Sequence, residues 1–227
     1  MDAKKKSNKY HGKLSAADIT TGMNIAEQNA FRLLEDATIL LNSKRYPTAC
    51  SLAVLALEEL GKVIILRFIS IAPSDFTRVA FWKMYHRSHI SKNSILFMQR
   101  LAIERARKNE DLEPVYDDAN ECSIALDQAK QLGFYSDCLG KSRWGVPWEK
   151  GDEKSAKGIV EFAQGLIKNV KHTEKEIELF IEHLGPWVKS RNYSNVQALE
   201  NWFSALENAG IFLAEIMGLD KFQPPEE

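Results

Sequence analysis

The sequence predicts an all-α fold, a bundle of five or six helices in a single domain. Apolar residues recur at steps of three and four along most of the chain, which is the period of an amphipathic helix. No stretch alternates apolar and polar residues as a half-buried strand does, and no repeat or composition shift marks a second domain. With 227 residues, of which 44% are hydrophobic, the chain can bury a substantial core.

The first two predicted helices form a hairpin. Residues 24–42 carry one apolar stripe, and a second helix follows at about residues 48–70. Pro47 suits the first turn of the second helix, where its missing N–H costs nothing. Because the connector is so short, the two helices must fold back on each other as an antiparallel pair.

A third helical region covers residues 73–110. Ser74 or Asp75 can cap its start, because either side chain can accept a hydrogen bond from the first turn. Its far end is densely charged and prone to fray, and a bend near Ser91 would divide the region in two.

The second half of the chain is predicted to be helical on both sides of one loop. Residues 117–132 form a fourth helix, and Gly133 suits a left-handed stop after it. Residues 133–151 are rich in glycine and aromatic residues, which is typical of an ordered loop or a small hairpin. The last helices are predicted at 153–183 and 195–217, divided by the "GPW" of residues 185–187.

We expect both ends of the chain to be disordered, which leaves residues 21–220 as the helical domain. Residues 1–20 begin with a lysine-rich run, which is typical of a solvated leader and also of a basic arm that binds nucleic acid. Residues 221–227 include the polar stretch "QPPEE".

The overall composition limits the classes of function. Lysine and arginine number 30 against 31 acidic residues, so any site for a polyanion must be a local patch. The three cysteines, Cys50, Cys122 and Cys138, form no CxxC pair, which favours a reducing compartment over a disulfide framework or a zinc site. The lysine-rich start lacks the apolar stretch of a secretory signal, and Arg67 breaks the longest apolar run. We therefore expect a cytoplasmic protein without membrane contact.

Glu58 and Lys62 stand one helical turn apart inside the apolar stretch "SLAVLALEELGKVIIL". They share a helix face and can pair, which at a surface contributes only ~0.2–0.5 kcal/mol. Gly61 costs ~1 kcal/mol in mid-helix relative to alanine, and such a glycine indicates a close approach by another backbone or a ligand. Two interpretations stay open, an ion pair at the boundary of the buried stripe and a functional site.

The segment "KMYHRSHISKN" is the part of the chain richest in groups that move protons or bind phosphate. Within it, His89 and Lys92 are spaced to share a helix face. Histidine can act as base and acid near neutral pH, and lysine can neutralise a phosphorane oxyanion. A surface histidine among solvated charges is the alternative. The segment contains Lys83, His86, Arg87, His89, Lys92 and Asn93.

The same histidines could in principle hold a metal ion. His86 and His89, with Glu58 and Glu59 on the preceding helix, would form a sparse carboxylate-bridged site. A di-metal bundle needs a Glu-x-x-His repeat on two helices, and this sequence has none. We predict no metal and no cofactor.

Three motifs follow one another along the chain. They are "NAFRLLEDATILLNSKRYPTACSLAVLALEELGK", then "SHISK" with its His-x-x-Lys, then "GFYSD" followed by "WGVP". In these motifs, which run from Asn29 to Pro147 over about half of the chain, the sequence resembles the AbiV family of bacterial abortive-infection proteins. That family belongs to the HEPN superfamily of α-helical domains. The Glu-Glu-x-Gly-Lys element of the first motif is the most specific part of the resemblance.

The resemblance implies a HEPN-like helical bundle that forms homodimers and acts in defence against phage. Many members of the superfamily are metal-independent ribonucleases. In that chemistry a base deprotonates the ribose 2′-hydroxyl, cations stabilise the phosphorane, and an acid protonates the leaving 5′-oxygen. The partners implied are RNA, a phage or host protein that acts as trigger, and a second copy of the chain.

The family motifs match this sequence residue by residue. The second-helix element corresponds to Glu58, Glu59, Gly61 and Lys62, the His-x-x-Lys to His89 and Lys92, and the loop to Tyr135 and Asp137. We expect Lys62 and Lys92 to contact phosphate, and Glu58 to orient Lys62 or His89. The predicted catalytic residues are His89, Lys92, Glu58 and Lys62, and the predicted substrate contacts are His86, Arg87, Glu59, Tyr135 and Asp137.

The sequence departs from the superfamily in one motif, in which an arginine and a polar residue precede a histidine by a short spacer. Arg78 lies too far before His86, Arg87 lies too close to His89, and no histidine follows Arg191. Three hypotheses stay open. The protein cleaves RNA through a variant site, it arrests growth or translation by binding a host or phage component, or its polar residues stabilise a helical dimer.

Overall fold

The structure, a computed structural model, describes residues 12–107, 114–138, 144–147, 152–190 and 197–212. These ranges contain eight helices and one short two-stranded ladder, so the all-α prediction is confirmed. The predicted number of five or six helices is too low, because two of the predicted helical regions are each divided. The elements are α1 (Ala16–Asn42), α2 (Tyr46–Ile71), α3 (Asp75–Arg87), α4 (His89–Arg107), α5 (Val115–Phe134), β1 (Asp137–Cys138), β2 (Trp144–Gly145), α6 (Glu153–Leu166), α7 (Glu174–Ser190) and α8 (Gln197–Asn208).

Helix α1 begins at Ala16, within the segment that was predicted to be disordered. A capping box fixes this start. The backbone N–H of Asp18 donates to Ser15 Oγ, and the Asp18 carboxylate accepts from the Ser15 backbone N–H, both at 3.1 Å. Residues 1–11 and the predicted C-terminal tail lie outside the described residues.

The predicted antiparallel hairpin of α1 and α2 is confirmed. Lys44 adopts a left-handed conformation with φ of 58° in the connector, and Pro47 lies in the first turn of α2. At the far end of the pair, a Cβ added to Gly22 would lie only 3.0 Å from Leu66. Most residues of α2 are buried, because this helix packs against α1, α4, α5 and α6 and also contacts α3 and α7.

The third predicted region breaks at Ser88 rather than near Ser91. Ser74 caps α3 by accepting a hydrogen bond from the Thr77 N–H at 3.2 Å. Ser88 caps α4 in the same way, because its Oγ accepts from the Ser91 N–H at 3.0 Å. His89 is therefore the first residue of α4 rather than a position in mid-helix.

Gly133 does not end its helix in a left-handed conformation as predicted. It is buried within α5, which continues to Phe134. A Cβ at this position would overlap Ser51 Oγ and the carbonyl oxygen of Pro47, so the glycine lets α5 lie directly on the start of α2. The loop that follows is a small hairpin, in which β1 pairs with β2 in antiparallel register.

Helices α6 and α7 are separated at residues 167–173, inside the single helix that was predicted at residues 153–183. Thr173 caps α7 by accepting from the Glu176 N–H at 3.2 Å. The "GPW" segment, which was predicted to divide the last two helices, lies instead inside α7, with Pro186 in the helix. Leu184 and Trp187 pack into one apolar cluster from either side of this proline, which supports the helix despite the missing N–H.

A buried polar cluster joins the α6–α7 connection to the first hairpin. Arg67 Nη2 lies 2.6 Å from Glu176 Oε1, and His172 Nδ1 lies 3.1 Å from Glu176 Oε2. Asn24 exchanges two hydrogen bonds with the backbone of His172, at 2.8 and 3.0 Å. Glu27 accepts from the backbone of the same connection at 3.4 Å. The buried polar cluster therefore consists of Asn24, Glu27, Arg67, His172 and Glu176.

The apolar residues form two cores. The main core combines side chains of α1, α2, α4, α6 and α7. The second core is smaller and joins Ile71, at the end of α2, to α7 and α8. None of the described helices is both long and apolar enough to cross a membrane.

Candidate active site

Glu58 lies at the centre of the candidate site. Its side chain comes from the middle of α2 and is only 2% exposed. Oε2 lies 2.6 Å from Nδ1 of His89, at the start of α4, and Oε1 lies 2.6 Å from Nζ of Lys130, on α5. Each oxygen of a buried carboxylate thus faces a nitrogen on a different helix, which offsets the cost of removing the charge from water.

The lysine in this arrangement was not predicted from the sequence. Lys130 is 4% exposed, and its Nζ also lies 2.7 Å from Oδ1 of Asp127. Burial alone would lower the pKa of Lys130, but the carboxylates of Asp127 and Glu58 outweigh burial and raise the pKa overall. Lys130 is therefore a buried ammonium ion between two acids.

His89 is the accessible member of the site, with 55% of its side chain exposed. An ionised carboxylate can only accept hydrogen bonds, so Glu58 assigns the hydrogen of a neutral imidazole to Nδ1. The lone pair then resides on Nε2. This is the arrangement in which an acidic residue orients a histidine for proton transfer.

The prediction that Gly61 marks a close approach is confirmed. A Cβ at this position would lie 2.8 Å from the carbonyl carbon of Lys92 and closer still to its oxygen. The backbone of α4 therefore rests directly on α2, one turn after Glu58. This contact positions the first turn of α4, and with it His89.

Lys62 does not pair with Glu58 as the spacing suggested. It pairs instead with Glu59, with Nζ 2.5 Å from Oε1, and both side chains are about one fifth exposed. Lys62 Nζ also lies 5.4 Å from the ring centroid of Tyr85 on α3, within the range of a cation–π contact. Glu58 is turned inward to α4 and α5, so the two neighbouring glutamates face different partners.

Lys92 is brought to the site but is buried, with 6% exposure. Burial and the charge of Lys62 lower its pKa, although Glu58 and Glu59 act in the opposite direction. Its contact with phosphate stays a prediction. Lys62 is the more accessible of the two ammonium groups.

His86 lies in an aromatic group on α3. Its ring meets Trp82 edge to face at 4.5 Å and Tyr85 at 4.9 Å. Burial, followed by the charges of Lys62, Lys92 and Arg87, lowers the pKa of His86. His86 is therefore a neutral neighbour of the site, whereas Arg87 is exposed.

The loop residues are placed apart from these contacts. Tyr135 follows the end of α5, is 62% exposed and meets the ring of Phe134. Asp137 pairs through its backbone with Gly145 in the hairpin. Their contacts with substrate stay predictions.

The metal-binding residue types are not grouped in the described ranges. Within those ranges no three or more histidine, cysteine, aspartate or glutamate side chains come together where they could hold an ion. His86 and His89 accordingly have separate environments, the first among aromatic rings and the second beside Glu58.

Comparison with known proteins identifies the family. A family model described as AbiV, of the HEPN type, matches residues 18–168, which is well over half of the chain. No curated protein and no solved structure matches the chain. The matched range runs from the first turn of α1 to just past the end of α6 and includes all members of the candidate site. The chain therefore belongs to the AbiV family of the HEPN superfamily, and this membership implies a role in abortive infection, a defence against phage.

Proposed function

We propose that the protein is a phage-defence effector that cleaves RNA without a metal ion, with His89 as its acid and base. The observation that carries the proposal is the 2.6 Å contact between Nδ1 of His89 and Oε2 of Glu58. The carboxylate is buried while the imidazole is exposed. A histidine oriented in this way can exchange a proton with a substrate.

The reaction needs no group beyond the RNA itself and the protein. Nε2 of His89 accepts the proton of a ribose 2′-hydroxyl, and the resulting oxyanion attacks the adjacent phosphorus. The bond from phosphorus to the 5′-oxygen then breaks, and the proton passes to that leaving oxygen. The products are a 2′,3′-cyclic phosphate and a 5′-hydroxyl end.

Cationic and aromatic groups beside His89 support an RNA substrate. Lys62 is partly exposed and Arg87 is exposed, so both can neutralise charge on a phosphate group that approaches the imidazole. Trp82 and Tyr85 stack on each other with ring centroids 5.5 Å apart. Such aromatic surfaces are suited to stacking with unpaired bases.

The direct test is incubation of the pure protein with total cellular RNA, with and without EDTA. The wild-type protein is expected to cleave RNA in both conditions. His89→Ala should lower the rate by roughly 10²–10⁴-fold, the usual contribution of a general acid or base. Retained cleavage by the folded variant would reject the proposal.

His183→Ala is the matched control. His183 is a partly buried histidine on α7, a helix that packs on α1, α2 and α8. The His183→Ala variant should cleave RNA like the wild type. Circular dichroism of both variants separates a chemical effect from a loss of fold.

The missing arginine-spacer-histidine motif favours a second candidate, a non-catalytic protein that arrests growth by binding. In that case the pure protein leaves RNA intact even at high concentration. His89→Ala would still abolish protection of an infected culture, and a stoichiometric host or phage partner would be recovered with the wild-type protein alone.

A further inference from the structure

We propose that Lys130 is a positioning residue of the candidate site, which holds Glu58 as a carboxylate turned towards His89. The inference rests on the function proposed above for His89. It assigns to α5 a part in the site that none of the sequence motifs indicates. Lys130 acts on His89 only through Glu58, with its ammonium on Oε1 and the imidazole on Oε2.

Lys130 is fixed at both ends of its side chain. Its backbone carbonyl accepts a hydrogen bond from Ser51 Oγ at 3.0 Å, which connects this turn of α5 to α2. Next to that bond, the absence of a side chain at Gly133 allows the two helices to touch. At the other end, Nζ lies between Glu58 and Asp127. The ammonium position is thus determined by helix packing as well as by charge.

The charged groups around Glu58 show that Lys130 is the cation placed to neutralise its carboxylate. Four helices meet here, and α2 itself contributes Glu59 and Lys62, which neutralise each other. Helix α4 contributes His89 and the buried Lys92, which has an electrostatic interaction with Glu58. Helix α3 contributes the neutral His86. Among these groups, Lys130 is the buried cation whose ammonium is in direct contact with a Glu58 oxygen.

The consequence is a defined tautomer of His89. With Lys130 in place, Glu58 stays an acceptor and keeps the imidazole hydrogen on Nδ1, so that Nε2 can take a proton from a substrate. Without the ammonium, Oε1 of Glu58 loses its buried partner, and the carboxylate is no longer fixed against Nδ1. The hydrogen of the neutral ring then moves to Nε2, and the base is lost.

The first measurement is the tautomer of His89 in the full-length protein. Long-range ¹H–¹⁵N correlation spectra of histidine-labelled protein distinguish the two neutral tautomers, and His89→Ala identifies the His89 signal among the five histidines. We expect the Nδ1–H form in the wild type and in Lys130→Arg, and loss of this form in Lys130→Met. An unchanged His89 tautomer in folded Lys130→Met overturns the inference.

The second measurement is the steady-state kinetics of RNA cleavage, which gives kcat and KM separately. Lys130→Met should lower kcat by roughly tenfold or more, with KM unchanged, because a group that orients a base acts on the chemical step. Lys157→Met, a change to an exposed lysine on α6, should leave both quantities unchanged. An unchanged kcat in folded Lys130→Met contradicts the inference.

The variants also separate this inference from the proposed function. If the wild-type protein does not cleave RNA, the proposed function fails, and the tautomer spectra still decide the role of Lys130. If Lys130→Met does not fold, Glu58→Gln is compared instead with the double variant Glu58→Gln/Lys130→Met. In the double variant neither partner of the Glu58–Lys130 ion pair is charged, so no buried charge is left unpaired by the substitutions. A residue that acts only through Glu58 adds no further change to Glu58→Gln. An additional change in tautomer or rate overturns the inference.

Discussion

At the level of single residues, glycine sets the distance between α2 and α4. Gly61→Ala should lower the free energy of unfolding by about 1–3 kcal/mol, because the new methyl group must push away a backbone carbonyl rather than a flexible side chain. It should also move His89 away from Glu58. Chemical denaturation measures the first effect, and the His89 tautomer reports the second.

Gly158→Ala is the matched control for this prediction. Gly158 also lies inside a helix, α6, but a Cβ there meets nothing within 4 Å. The substitution should therefore raise stability by up to ~1 kcal/mol through helix propensity alone. Equal effects at the two glycines would contradict the role assigned to Gly61.

The sequence allowed part of the candidate site to be predicted. Glu58 and His89 belong to recognisable motifs on predicted helices, and the structure brings the two residues into contact. Lys130 could not be predicted, because the position of α5 on α2 depends on contacts at Ser51 and Gly133. These contacts leave no periodic signal in the sequence.

At the level of elements, the buried polar cluster attaches the α6–α7 connection to α1 and α2. Burial raises the pKa of Glu27, although His172, a backbone N–H and Arg67 oppose this effect. Burial would also raise the pKa of Glu176, but its hydrogen bond with His172 and the charge of Arg67 lower it overall. The pKa values of the two carboxyl groups in this cluster are thus shifted in opposite directions.

The opposite shifts predict opposite effects on stability. The folded state holds a proton on Glu27 above the ordinary pKa of 4.5, so stability falls as pH rises through the raised pKa. Glu27→Gln should therefore unfold at equal or higher denaturant concentration than the wild type at neutral pH. Glu176 contributes to the free energy of unfolding above pH 4.5, and this contribution is lost as pH falls through its lowered pKa.

Glu176→Gln is the contrasting variant at the same cluster. It leaves the guanidinium of Arg67 without its buried carboxylate and should cost about 3–5 kcal/mol at neutral pH. Urea unfolding of both variants across the acid and neutral range gives the comparison. Equal destabilisation by the two substitutions would show that the assigned shifts are wrong.

The helix boundaries show what local sequence can and cannot predict. Thr173 and Glu176 follow the Ser/Thr-x-x-Glu pattern of a helix start, so the beginning of α7 had a signal. The end of α6 has no such signal in the local sequence, because the connection after it is held by Asn24 and Glu27 of α1, which is far away along the chain. The break at Ser88 was likewise masked by helical periodicity that continues on both sides.

At the level of the whole molecule, the second core lies apart from the candidate site. The family model ends at residue 168, so α7, α8 and most of this core follow the matched range. Trp202 is the larger of the two buried aromatic side chains in this core. It is 4% exposed and lies edge to face with Phe180, with ring centroids 5.2 Å apart. Its packing is therefore expected to affect stability and not proton transfer.

Trp202→Ala tests this separation. It should lower the free energy of unfolding by about 3–5 kcal/mol and speed hydrogen exchange in α7 and α8. The tautomer of His89 should not change. Trp144→Ala, at a position 76% exposed, should change stability by no more than about 0.5 kcal/mol. A changed His89 tautomer in Trp202→Ala would show that the second core and the site are coupled.

The glycine contact between α2 and α4 has a wider consequence. Glu58 and Gly61 stand three residues apart on α2. The turn of α2 that carries Glu58 therefore also determines how closely α4, with His89, can approach. The distance between Glu58 and His89 therefore depends on how closely the two helix backbones can approach, which side-chain substitution elsewhere cannot adjust. Any substitution that fills the space between α2 and α4 to stabilise their packing also increases the distance between Glu58 and His89.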